Sequence, residues 1–66
     1  MKELMAGLRL QIERNEVLLE EFRKATGQRS LGVFLIEKDL KSAREALEKK
    51  DSVAMLRAYN VLAENR

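Results

Sequence analysis

The 66-residue chain contains no cysteine, no histidine, no proline and no tryptophan. Without Cys or His there is no donor set for a disulfide, a zinc finger, a zinc hydrolase centre or an iron–sulfur cluster. A domain this small rarely draws more than roughly 3–5 kcal/mol from one core unless a staple or self-association helps. Close packing and oligomerisation are therefore the supports left to it. The absence of proline lets helices run unbroken. Continuous apolar runs such as Val33-Phe34-Leu35-Ile36 are far too short for a membrane span, and no early apolar stretch resembles a signal peptide. A soluble, cytoplasmic protein with no membrane partner is expected.

What is present favours helix: Leu, Glu, Lys, Arg and Ala are abundant and only three glycines interrupt them. Thirteen Lys and Arg against eleven Asp and Glu give a net charge of +2. The signs alternate along the chain, as on a solvated helical surface.

Turned at 100° per residue, the first 26 residues gather Leu4, Met5, Leu8, Ile12, Leu18, Leu19, Phe22 and Ala25 near one face. Leu10 and Val17 fall on the other side. Glu20 and Lys24 stand at the favourable i,i+4 spacing, and Gly27 follows as a helix stop. After a connection at Gln28 to Gly32, with Ser30 as candidate cap, Val33, Ile36, Leu40, Ala43 and Leu47 form a second stripe. Leu31, Leu35 and Ala46 lie to one side of it and Phe34 lies opposite. The hinge Lys49-Lys50-Asp51-Ser52 places positive charge at a helix C-terminus and a cap, Asp51 or Ser52, before the next helix. So short a hinge predicts an antiparallel hairpin. The third helix presents Ala54, Met55, Ala58, Val61 and Leu62 on one face, while Leu56, Tyr59 and Ala63 widen the apolar arc. Only Arg57, Asn60 and Glu64 form a consistently polar strip.

A second period fits part of the first segment. In Gly7 to Glu13, Leu8, Leu10 and Ile12 alternate with Arg9, Gln11 and Glu13 as in a half-buried strand. Asn15 would then cap a helix running to Thr26. The resulting strand-helix-helix order over Leu8 to Leu47 resembles ribbon-helix-helix repressors, in which paired strands from two chains enter the major groove. That resemblance implies DNA binding by a dimer, with Arg9, Gln11 and Glu13 at base edges. Glu13 would bring a carboxylate among phosphates, the third helix is extra, and Leu, Arg, Gln and Glu form helices better than strands.

Catalytic chemistry finds little to work with. Catalysis at neutral pH most often uses His or Cys, which leaves carboxylates, Lys, Tyr59 and hydroxyls, none suggestively spaced. Glu13, Glu16 and Glu20 share a helix face with Glu21 nearby, yet two-metal carboxylate bundles pair Glu with a His that does not exist here. No Gly-rich phosphate loop occurs. The basic groups Arg23, Lys24 and Arg29, and those from Lys38 to Lys50, are interrupted by acids, which dilutes any nucleic-acid stripe. Met1, Met5 and Met55 read as adaptable core filling.

The expectation is an all-α fold over residues 1–66, a single domain built as a small three-helix bundle with a long first helix and a helical hairpin, completed by homo-oligomerisation. Its expected role is a protein-interaction or regulatory module and not an enzyme, with no metal or cofactor. Its partners are itself as a homodimer, another protein, or less readily nucleic acid. The expected interface comprises Leu10, Val17, Phe34, Leu35, Leu56, Tyr59 and Ala63, because the second seam and the broad third helix leave these side chains needing cover.

Overall fold

The computed structural model describes residues 2–27 and 30–65. Met1, Gln28, Arg29 and Arg66 lie outside them, and with them the parts assigned above to Met1 and Arg29. Three helices follow in order: α1 Lys2–Thr26, α2 Leu31–Lys49 and α3 Ser52–Glu64. Each packs against both others in a three-helix bundle 36 Å long. At 1.5 Å rise per residue, the 25 residues of α1 span this length, whereas the 13 of α3 reach only about 20 Å. That mismatch shapes everything below.

No strand occurs among the described residues, and the whole of Gly7 to Glu13 lies inside α1. The alternating pattern there loses to the helical one for a physical reason. A helix buries Leu8 and Ile12 on one face while Gln11 turns inward with them and Leu10 turns out. A strand would have placed Leu8, Leu10 and Ile12 together. Asn15 is accordingly no helix cap.

Local chemistry places the ends. Gly27, at φ 86°, takes the left-handed conformation that closes α1, and its N–H donates to Arg23 O at 2.9 Å. Ser30 caps α2, its Oγ accepting from Val33 N at 3.2 Å and lying 2.9 Å from the Thr26 hydroxyl. At the hinge Asp51 is the cap, with Oδ1 accepting from Val53 N and Ala54 N. Lys50 stands just before it at φ 54°, a left-handed conformation that costs a residue with a Cβ. Lys50→Gly removes that cost. It is expected to raise stability by about 0.5–1 kcal/mol, seen as a higher urea midpoint with an unchanged slope.

The core is built from Leu8, Ile12 and Leu19 of α1, Val33, Ile36, Leu40, Ala43 and Ala46 of α2, and Met55, Ala58 and Leu62 of α3. Leu4, Met5, Leu18, Phe22, Leu47, Ala54 and Tyr59 pack partly buried around it. Three placements depart from the periodic expectation. Ala46 is buried instead of lateral, because its side of α2 is the one facing α3. Val61 is exposed because it sits at the edge of the α3 face. Ala25 is exposed because α3 ends well below its level, so no third helix covers it.

Candidate interaction surface

The end of α3 is closed by a polar cluster inside an otherwise apolar bundle. Asn15, almost fully buried, donates from Nδ2 to Gln11 O at 2.8 Å and to Leu62 O at 3.1 Å. Both neighbours are carbonyls, so the amide has one workable orientation, with Oδ1 left to accept from Asn65 Nδ2 at 3.1 Å. Asn65 also donates to Asp39 Oδ2 at 3.3 Å, which joins all three helices. The Leu62 carbonyl belongs to the last turn of α3, where helices lack internal donors, and it takes the Asn15 amide along with the Asn65 backbone N–H. Among the described residues no buried side-chain N or O lacks a hydrogen-bond partner.

Above this cluster the bundle has two helices instead of three. The space where α3 would continue is a shallow apolar groove of about 180 Å³, walled by Leu18 and Phe22 of α1 and Gly32, Leu35 and Ile36 of α2, with Asn65 at its base. Gly32 permits the close approach of Phe22, whose Cε1 would lie 3.4 Å from a Cβ at that position. Helical spacing sets Leu31, Phe34 and Leu35 together on the first turns of α2, at i, i+3 and i+4. Leu31 is 72% exposed and Phe34 63%.

The second apolar area follows the outer seam of α1 and α3. Tyr59 is half-buried against Gly7, where a Cβ would stand 3.3 Å from its Cε2. Leu10 lies one turn beyond Gly7, and Leu56 and Ala63 lie one turn either side of Tyr59, so all three border that seam and all are exposed. Val17 sits higher, beside the cleft that Asn65 shares with Gln11 and Arg14. The seven residues expected to need cover thus divide among three places. Leu10, Leu56, Tyr59 and Ala63 keep to the seam, Val17 to the cleft beside Asn65, and Phe34 and Leu35 to the two-helix end.

A cleft of about 560 Å³ runs between α1 and α2. Glu16, Glu20 and Arg23 of α1 line it opposite Glu37, Lys41 and Arg44 of α2, and most of these charges are paired. Arg23 meets Glu37 at 3.2 Å and Glu20 at 3.8 Å, while Arg44 meets Glu16. These bridges are half exposed, so each contributes about 0–1 kcal/mol. Of the acidic strip along α1, Glu16 and Glu20 are thus paired with arginines, and no group of three His, Cys, Asp or Glu side chains able to hold a metal occurs among the described residues. Nor is any helix, over the same residues, long and apolar enough to cross a membrane.

No family model, curated protein or solved structure matches the chain. Periodicity alone places Leu18 and Phe22, which wall the groove, in the core. Only the relative lengths of α1 and α3 show that their outer sides lack a third helix. The buried Gln11 and Asn15 carried a fainter signal. Positions 8, 11, 12, 15, 19 and 22 form an unbroken i+3/i+4 ladder, and the two polar residues stand on its rungs.

Proposed function

We propose that the chain is a non-enzymatic helical interaction module that works as a homo-oligomer, with the dimer as its basic unit. The observation that carries this reading is apolar surface left in solvent. Among the described residues, eight large apolar side chains are exposed by 42–72% and supply the material for an interface. The reading of a module without catalysis is supported by the lack of His and Cys and by the pairing of Glu16, Glu20 and Glu37 with arginines.

Sedimentation equilibrium over the micromolar range tests this directly. A reversible monomer–dimer equilibrium is the expected result. A single species of 7.6 kDa up to about a hundredfold above micromolar would refute it, since that corresponds to less than about 5.5 kcal/mol of association.

A further inference from the structure

The seam of α1 and α3 carries charge as well as apolar area. On α1 the positions Glu3, Gly7, Leu10 and Arg14 follow one another by steps of four, three and four residues, so they form one stripe, which continues through Val17, Glu21 and Lys24. Glu3, Leu10 and Arg14 are exposed, and neither charged group has an ion-pair partner among the described residues. We infer that a second copy of the chain packs antiparallel on this seam, about a two-fold axis that crosses α1 between Leu8 and Arg9, with Glu3 against the partner's Arg14. This assignment rests on the dimeric reading above and names its surface.

A two-fold contact requires a patch complementary to itself. Sliding one antiparallel copy of the stripe along the other gives few registers, and charge separates them. In the register assigned here Glu3 meets the partner's Arg14 and Gly7 meets the partner's Leu10, each twice by symmetry. Opposite charges then face each other, and leucine lies against the residue with no side chain. One register further, Glu3 meets the partner's Glu21. In the next, Leu10 meets the partner's Glu21, and in the last Arg14 meets the partner's Lys24. Each of these sets like charges together or a carboxylate against leucine. The third helix agrees with the first choice. Tyr59 lies beside Gly7 and the Leu62 carbonyl beside the Asn15 amide, so α3 runs parallel to α1 and the same axis crosses it close to Asn60. Leu56 then stands opposite the partner's Ala63, again large against small. The groove at the two-helix end is walled by no charged side chain and fixes no register in this way.

Charge reversal tests the register. Glu3→Arg and Arg14→Glu each bring like charges together twice in the dimer, and each is expected to weaken dimerisation at least about fivefold in sedimentation equilibrium at low salt. Both reversals in one chain restore the pairs with their signs exchanged, and are expected to return the dissociation constant to within about twofold of the wild type. The side chains are exposed, so the monomer keeps its helical circular dichroism spectrum. Leu10→Glu is expected to weaken association at least about tenfold by burying a carboxylate, and Leu35→Glu at the two-helix end less than about threefold. A double reversal no tighter than the weaker single would overturn the register, and a larger effect of Leu35→Glu than of Leu10→Glu would overturn the surface, both leaving the dimeric reading intact. A monomeric wild type would sink that reading itself. The absence of native cysteine allows a spin label at the exposed Lys24→Cys. Lys24 lies about 15 residues beyond the axis on α1, which predicts two labels about 45 Å apart. Packing through the two-helix end would bring them within about 25 Å, some 16 residues of helical rise, and such a distance would also overturn the proposal.

Discussion

Leu40→Ala is expected to lower the unfolding free energy by about 2–5 kcal/mol, the range for truncating a buried leucine. Leu40 is 1% exposed, midway along α2. The loss has two parts: the transfer free energy of the removed carbons and the cavity left where the helices cannot collapse. Helices of a small bundle could close such a gap only by sliding. Two ion pairs, Arg44 with Glu16 and Arg23 with Glu37, and the caps at Ser30 and Asp51 oppose that. For a domain of this size each kcal/mol shifts the melting temperature by about 4–8 °C, so a fall of at least about 8 °C is expected in calorimetry. Leu56→Ala removes the same atoms from a half-exposed site and is expected to stay within about 0.5 kcal/mol. Equal losses at the two positions would contradict the packing described here.

The second large effect belongs to Asn15. Asn15→Ala leaves the Leu62 carbonyl with only the Asn65 backbone N–H and deprives the Asn65 amide of one acceptor, which is expected to cost about 1–3 kcal/mol. The cost arises because the amide is almost fully buried, Asn15 being 2% exposed. Asn65→Ala is expected to cost less, because its side chain is partly exposed and Asp39 keeps solvent as a partner. The two losses should not add. A double-mutant cycle is expected to give a coupling of about 0.5–1.5 kcal/mol, with the double variant less destabilised than the sum of the singles. Amide exchange in the last turn of α3 should quicken in either single variant. Strict additivity would mean that the Asn15–Asn65 hydrogen bond contributes nothing to holding α3 at its level.

These two residues mark where sequence reading and folded structure part. Leu40 is plain in the sequence, since Val33, Ile36, Leu40, Ala43 and Leu47 repeat at helical spacing and all but the half-buried Leu47 are fully covered. Asn15 is not. Its neighbours in sequence make it an ordinary polar position, and its hydrogen-bond partners Leu62 and Asn65 are 47 and 50 residues away. The same holds for Tyr59. Its ring packs half-buried against Gly7, 52 residues away, a contact that helical spacing within α3 does not show.

Local sequence alone points to the second and third helices, the cap at Ser30, the glycine stop at Gly27 and most of the buried stripe of α2, while leaving Gly7 to Glu13 between helix and strand and the cap of α3 between Asp51 and Ser52. All of these depend on residues within about four positions of one another, the reach of helical hydrogen bonding and side-chain spacing. The register of α3 against α1, the burial of Gln11 and Asn15, the exposure of Ala25 and the opening of the groove depend on something else. They follow from α3 being about half as long as α1 and from which faces the three helices turn to one another. Periodicity tells which side of a helix is apolar. How far along its length a neighbour covers that side is a property of the assembled bundle.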